Sequence, residues 1–210
     1  SEMSRGGGLM SLDDLKHYES VWRDPIRTSY RGYDIWSMGP PSSGGILIAQ
    51  ILNMLEPFNL GAMGWGSARL THLVVEAERR AYADRSVHLG DPDFWKVPAD
   101  KLMDVKYARE RMKDFNPERA TLSHEISAGQ WADESEDTTH YSLIDKDGMM
   151  VAITTTLNSS FGSQLVIPGT GILMNNEMDD FSAQPGVPNQ FGLLGAEANA
   201  IQPMKRMLSS

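Results

Sequence analysis

The segment at residues 138–158 constrains this chain most, because two runs rich in β-branched residues flank the turn sequence Asp-Lys-Asp-Gly at 145–148. Such runs favour strands, and a turn of this composition favours a hairpin. A two-residue turn would bring Thr139 opposite Thr156. A three-residue loop that ends with its glycine in the left-handed conformation brings Thr138 opposite Thr156 instead. We predict this second register, in which the Cβ atoms of opposed residues lie about 4.5–5.5 Å apart.

The opposed threonines carry the chemistry that this sequence offers. The chain has no cysteine and shows no Ser-His-Asp partner set, and a threonine hydroxyl alone is a poor nucleophile at neutral pH. Cutting the chain between Asp137 and Thr138 would free an α-amine with a pKa of about 7.7–8, close enough to working pH to act as a base. The two-residue period places Thr156 and Asn158 on one face of the second strand. The alternative is a β-branched strand with no catalytic role.

Composition narrows the class of protein. With 210 residues, 40% of them hydrophobic, the chain can bury a core as one domain or as part of a larger one. The formal net charge is -9 and no cluster of Lys and Arg occurs, so nucleic acid is not an expected partner. No apolar run reaches the roughly 18 residues of a membrane span, and residues 1–8 lack the apolar centre of a signal peptide. The absence of cysteine leaves the redox compartment open.

Capping residues and hydrophobic periodicity predict further elements, which together indicate a mixed α/β fold. They are a helix capped by Ser11 with Asp14 three residues on, a strand pair at 28–38 that turns at Arg31 and Gly32, a helix at 44–55 capped by Ser42 or Ser43, a longer helix capped by Ser67, and a short helix at 107–112. The helix at 44–55 is apolar almost all round, which predicts that it is buried.

Eleven motifs follow one another along nearly the whole chain. They lie at residues 30–33, 40–45, 76–78, 83–85, 90–94, 138–142, 145–148, 156–158, 171–181, 185–189 and 205–210. Together they resemble the gamma-glutamyltransferase (gamma-glutamyl transpeptidase) family of N-terminal-nucleophile hydrolases. The resemblance implies an α/β fold in which stacked antiparallel sheets lie between helical layers, an αββα sandwich that is incomplete in this chain.

The same resemblance implies a division of the chain at the scissile bond between Asp137 and Thr138. Residues 1–137 match the late part of the large subunit and end in an acidic linker near 115–137. Residues 138–210 match the start of the small subunit. Both regions are expected to belong to one domain.

A second polar cluster lies at residues 175–180. By spacing alone, carboxylates three residues apart beside amides are more typical of a turn or a calcium-like loop, but they can also gather around an ammonium group. The resemblance implies a role for each site residue. Thr138 is the nucleophile with Thr156 beside it, Asn158, Glu177 and Asp180 hold the α-amino group of the substrate, and Ser209 and Ser210 bind its α-carboxylate.

The implied activity is γ-glutamyl transfer and hydrolysis of glutathione and related compounds after autoproteolysis before Thr138. The implied partners are these small molecules, amino-acid or dipeptide acceptors, and the rest of the protein's own two subunits. No cofactor is expected, and the five histidines show no metal-binding spacing. The family implies a periplasmic or extracellular location.

Two alternatives and three departures stay open. A related acylase would cut glutaryl-type amides such as cephalosporin side chains, although Asp180 suits an ammonium that a glutaryl group lacks. A non-catalytic module could also retain the fold. The family's substrate arginine belongs to the earlier large subunit and its oxyanion glycines lie beyond Ser210, so we expect this chain by itself to be poorly active. Phe191 stands where some members carry a tyrosine that helps close the pocket.

Overall fold

The structure is a computed structural model that describes residues 2–126, 138–190 and 194–209; for residues 2 and 138–140 only the backbone is described. The described residues form two compact units, one of residues 2–23 and 138–177 and one of residues 24–126 and 178–209. The elements are α1 (Glu2–Gly6), α2 (Leu12–His17), β1 (Ile26–Tyr30), β2 (Tyr33–Ser37), α3 (Gly44–Leu55), α4 (Ala68–His88), α5 (Ala99–Leu102), α6 (Val105–Arg111), β3 (Thr138–Ile144) and β4 (Met150–Thr156).

The unit that contains α3 and α4 has the hydrophobic core. The two helices pack against each other, and α3 also contacts α6 and β1. The buried core side chains are Ile46, Leu47, Met54, Leu55, Leu73, Ala77, Ala81, Leu89, Leu102, Ala108, Met112 and Leu208. Leu208 comes from the far end of the chain, so the core also anchors the segment that leads to Ser209.

Helix α3 spans the residues that its sequence predicts, but two details differ from expectation. Eight of its twelve residues are buried, as the sequence predicts, while Ile48 is 43% exposed. Ser43 stands at the N-cap position without a capping hydrogen bond from its side chain. Its hydroxyl instead donates to the carbonyl of Ser209 at 3.0 Å and accepts from Arg85. Tertiary partners therefore take the Ser43 hydroxyl, while the hydroxyl of Ser42 accepts from the backbone N–H of Gly44 at 3.3 Å.

Helix α4 carries a buried ion pair. Ser67 caps the helix as predicted, because its hydroxyl accepts from the backbone N–H of Leu70 at 3.2 Å. Further along, Glu76 and Arg80 are each only 1% exposed and pair at 2.5 Å. Burial alone would raise the pKa of Glu76, but hydrogen bonds from Thr121 and Arg80 outweigh it and hold that pKa below its usual value.

The Glu76 carboxylate also holds the chain that leads toward the predicted linker. The backbone N–H and the hydroxyl of Thr121 both donate to it, at 3.2 and 2.6 Å, and Arg80 donates to Asp114 at 2.8 Å. Part of the expected linker at 115–126 is thus tied to α4, and it includes a short 3-10 turn at Ser123–Glu125. Residues 127–137, with Asp137, lie outside the described residues.

The hairpin of β3 and β4 has the predicted register. The pairing places Thr138 opposite Thr156 and Ile144 opposite Met150. The N–H of Asp145 donates to the carbonyl of Met149 at 3.0 Å, which closes a three-residue loop. Gly148 has φ 86°, the left-handed conformation that this loop requires and that residues with a Cβ rarely adopt.

The other predicted elements are also present. Ser11 and Asp14 form a capping box at the start of α2, and β1 pairs antiparallel with β2 across the turn at Arg31 and Gly32. The predicted short helix is α6. The α/β class is therefore confirmed, with two two-stranded sheets in the part of the chain that the structure describes. Within the same part, no helix is both long and apolar enough to cross a membrane.

Candidate active site

The end of strand β4 presents Thr156 directly across from Thr138. The two Cα atoms are register partners in the antiparallel ladder, while the side chain of Thr138 lies outside the description. The Thr156 hydroxyl oxygen accepts from the backbone N–H of Asn158 at 3.0 Å. This bond orients the hydroxyl at the position where directly opposed side chains interact.

Asn158 is held in place by its own backbone and by Asn176. It is 5% exposed and has φ 75°, a left-handed conformation that non-glycine residues adopt rarely and that is found at functional sites. Its amide nitrogen donates to the carbonyl of Asn176 at 3.1 Å. Asn176 in turn bonds both the backbone N–H and the hydroxyl of Ser159. The side chain of Asn158 is therefore fixed before any ligand binds.

Glu177 begins a 3-10 turn that runs from Glu177 to Asp180. Its backbone N–H donates to the side-chain oxygen of Asn175 at 3.1 Å, and its side chain is half-buried. No group of three or more acidic, histidine or cysteine side chains that could hold a metal ion occurs among the described residues. The local structure at this cluster is thus a 3-10 turn.

Asp180 has an unusually high pKa. Partial burial of its carboxyl group is the main cause that raises the pKa to about 6. The positive charge of Arg85 opposes the increase, and the negative charge of Asp179 adds to it. A carboxylate that is partly removed from water and short of positive charge gains when a cation arrives. Asp180 is therefore suited to an ammonium ligand.

Ser209 is attached to the start of helix α3. Its backbone N–H donates to the carbonyl of Pro41 at 3.0 Å, and its carbonyl accepts from both the backbone N–H and the hydroxyl of Ser43, at 2.8 and 3.0 Å. These bonds fix the backbone of Ser209 while the residue stays exposed. Ser210 lies outside the described residues, as does Phe191.

Arg85 contacts Ser43, which holds Ser209, and our sequence reasoning gave it no role beyond the motif at 83–85. It is 7% exposed, and its Nε donates to the hydroxyl of Ser43 at 3.1 Å. A signal was present in the sequence, because Arg85 continues the four-residue series of Leu73, Ala77 and Ala81 along the buried stripe of α4. A charge on such a stripe needs polar partners in the interior.

Comparison with known proteins decides the family. The family model described as Gamma-glutamyltranspeptidase matches residues 1–210. The chain belongs to the gamma-glutamyltranspeptidase family. The glutathione hydrolase proenzyme of Escherichia coli (strain K12) is 53% identical over 210 residues, which are 100% of this chain and 36% of that protein. The chain thus spans about a third of the length of this gamma-glutamyltranspeptidase relative.

Solved structures agree with this assignment. The gamma-glutamyltranspeptidase of Helicobacter pylori is similar with a TM-score of 0.59 at 46% identity, covering 61% of this chain and 37% of that one. The cephalosporin acylase of Bacillus halodurans is similar with a TM-score of 0.75 at 27% identity, covering 99% of this chain and 34% of that one. The predicted family and its fold are therefore confirmed, with a related acylase sharing that fold.

Proposed function

We propose that the protein containing this chain transfers and hydrolyses γ-glutamyl groups, with glutathione as a substrate and Thr138 as its N-terminal nucleophile. The observation that carries the proposal is the register of the hairpin, because it sets Thr138 opposite Thr156. Membership of the gamma-glutamyltranspeptidase family supports the substrate class. The proenzyme name of the Escherichia coli relative is consistent with activation by cleavage.

Activation is proposed to be an intramolecular acyl shift. The Thr138 hydroxyl attacks the carbonyl carbon of Asp137, and the acyl group moves from the nitrogen of Thr138 to its oxygen. Water then hydrolyses the ester, which leaves Asp137 with a carboxylate and Thr138 with a free α-amine. Thr156 lies across the ladder, where its hydroxyl can hydrogen-bond this residue.

Turnover is proposed to use the same hydroxyl. The new α-amine accepts its proton as the oxygen attacks the γ-carbonyl of the substrate, and the proton then passes to the departing amine. A γ-glutamyl ester of Thr138 results. Water converts the ester to glutamate, and the amine of an amino acid or dipeptide converts it to a new γ-glutamyl compound.

Substrate recognition is proposed to divide between two kinds of group. Asn158, Glu177 and Asp180 hold the α-ammonium, and Ser209 and Ser210 hold the α-carboxylate. The high pKa of Asp180, caused mainly by burial, supports a cation as its ligand. The attachment of Ser209 to Ser43 supports a fixed position for the carboxylate end.

The remaining groups are proposed to come from the rest of the protein's own large and small subunits. These would supply the substrate arginine and the donors that stabilise the oxyanion, since neither is matched within residues 1–210. No cofactor takes part in the proposed reaction. A periplasmic or extracellular location follows the family resemblance and is part of the same proposal.

A glutaryl or cephalosporin acylase is the second candidate, favoured by the likeness to the acylase of Bacillus halodurans. Asp180 separates the two candidates, because a glutaryl group has no ammonium to pair with a half-buried carboxylate. A γ-glutamyl anilide should therefore be the better substrate of the full-length protein. A preference for the glutaryl anilide would favour the acylase.

The central test is cleavage and turnover in the full-length protein with Thr138→Ala, with Thr138→Ser as the matched control that keeps a hydroxyl. Denaturing electrophoresis should show two fragments for the unmodified protein and a single chain for Thr138→Ala. Mass spectrometry should find a fragment that begins at Thr138. Turnover of γ-glutamyl donors at an undiminished rate by Thr138→Ala would end the proposal, and an intact unmodified protein would favour a non-catalytic module.

A further inference from the structure

A single amide side chain joins the two halves of the proposed α-amino-acid site. We propose that Asn199 is a positioning residue that sets the spacing between Asp180 and Ser209, so that the ammonium and the carboxylate of one substrate are bound together. The inference rests on the proposed function. It adds a residue that contacts neither group of the substrate but links the two binding groups, alongside the bonds that Ser209 makes with Pro41 and Ser43.

The geometry of Asn199 supports this role directly. Its amide nitrogen donates to the carbonyl of Asp180 at 2.7 Å, and its amide oxygen accepts from the backbone N–H of Leu208 at 3.0 Å. Leu208 immediately precedes Ser209. One planar group therefore spans from the residue proposed for the ammonium to the residue next to those proposed for the carboxylate.

Asn199 is itself held firmly. It ends the 3-10 turn Glu197–Asn199, and it is 5% exposed. Its backbone carbonyl accepts from the N–H of Ser182 at 2.9 Å, which adds a second link to the segment of Asp180. A fixed backbone and a buried side chain leave the amide little freedom, so the distance that it bridges is nearly constant.

Hydrogen bonds also hold the segment between Asn199 and Ser209. The Lys205 ammonium donates to the carbonyls of Ala198 and Ala200 at 3.0 and 2.9 Å, and the N–H of Arg206 donates to Asp91 at 2.8 Å. These bonds hold the segment in one shape. The side chain of Asn199 then links this segment to the backbone of Asp180.

The role needs the particular chemistry of asparagine. The side chain must donate at one atom and accept at the other, which aspartate cannot do when ionised and which alanine cannot do at all. Glutamine has the same groups but is one methylene longer. Losing both contacts would leave the N–H of Leu208 without this partner in a buried position, where an unmet donor is costly.

The spacing matters because the ammonium and carboxylate of an α-amino acid are bonded to the same carbon. Their separation is fixed, so a site that binds both must hold its own groups at a matching distance. An error of about 1 Å in such a site weakens binding and misplaces the reacting bond. A ligand with only one of the two groups does not depend on the match.

The test uses the full-length protein with Asn199→Ala and Asn199→Ser, the second of which keeps a hydroxyl that can serve Leu208 but cannot span to Asp180. Asn53→Ala is the matched control, since Asn53 is 8% exposed and its side chain donates to the carbonyl of Met103 at 2.7 Å and to neither Asp180 nor Leu208. The measurements are KM and kcat for L-γ-glutamyl-p-nitroanilide, inhibition by L-glutamate and by glutarate, and cleavage before Thr138.

We expect both Asn199 variants to be cleaved normally and to raise KM roughly tenfold or more, the equivalent of losing about one well-placed hydrogen bond. Inhibition by L-glutamate should weaken by a larger factor than inhibition by glutarate, which lacks the ammonium. Asn53→Ala should change none of these values by more than about twofold.

Three results would overturn the inference while leaving the proposed function intact. These are an unchanged KM in cleaved Asn199 variants, an equal loss of inhibition by L-glutamate and glutarate, and loss of cleavage in both variants, since a residue that positions only substrate groups is not required for intramolecular cleavage. Failure of the unmodified protein to be cleaved or to turn over the anilide would instead reject the proposed function itself.

Discussion

The pH dependence of kcat/KM on the acid side should report the ionisation of Asp180. Its carboxylate must be charged to bind the substrate ammonium, and burial raises its pKa to about 6 from an ordinary value of 3.8. Because the folded-state pKa is raised, the protonated form predominates below about pH 6 and the ionised form above it. Substrate binding should therefore strengthen as the pH rises from 5 to 7.

The size of the effect follows from the pKa. With a pKa of about 6, Asp180 is about 9% ionised at pH 5 and about 91% ionised at pH 7, a change of about tenfold. The α-amine of Thr138 also titrates near this range, so the pH profile of one protein would mix the two groups. Asp180→Asn keeps the amine and removes the carboxylate, and the ratio of the two proteins isolates Asp180.

The assay is kcat/KM for L-γ-glutamyl-p-nitroanilide at pH 5–8 in the full-length protein, with and without Asp180→Asn. The ratio of unmodified to substituted protein should rise about tenfold between pH 5 and 7 and then level. Asp100→Asn, which removes an exposed carboxylate in α5, should leave the profile unchanged. A ratio that is flat across pH 5–7 would refute the argument that Asp180 pairs with the ammonium.

Three further predictions concern Arg85, Glu76 and Gly148. In Arg85→Met, the rise of kcat/KM that reports Asp180 should move above about pH 6, because the positive charge of Arg85 lowers the pKa of Asp180. Arg85→Lys keeps this charge and should move the rise little. Equal pH profiles for the two variants would contradict this prediction. Glu76→Gln should lower the free energy of unfolding, measured by thermal unfolding, by about 3–5 kcal/mol, because it leaves the buried Arg80 without its charged partner. Glu110→Gln removes an exposed pair with Lys113 and should lower it by under about 1 kcal/mol. Gly148→Ala should cost about 1 kcal/mol and slow cleavage before the hairpin, because φ is 86° although the space around it is open; an unchanged cleavage rate would count against the role of the turn.

Short-range features of the chain were predictable from neighbouring residues. The register of the hairpin depends on the turn at 145–148, and the capping of α2 and α4 depends on Ser11 and Ser67. In each case the interacting groups lie within a few positions of one another, so that the local sequence contains both partners. The family motifs indicated which residues form the site, and the roles of these residues stay predictions.

Other features needed the tertiary structure. The hydroxyl of Ser42 or Ser43 was predicted to cap α3, yet that of Ser43 bonds Ser209, 166 positions away, and Arg85, 42 positions away. A pattern of residue types cannot choose between a local bond and a distant one, because their relative free energies depend on which segments pack together.

The sequence by itself determined the family, the threonine hairpin and its register, because turn chemistry and strand period act over a few residues. Only the tertiary structure decided that Arg85 is buried against Ser43, that burial raises the pKa of Asp180, and that Asn199 joins Asp180 to Leu208. These depend on burial and on contacts between distant segments. They exist only once the chain has brought its separate parts to the same place.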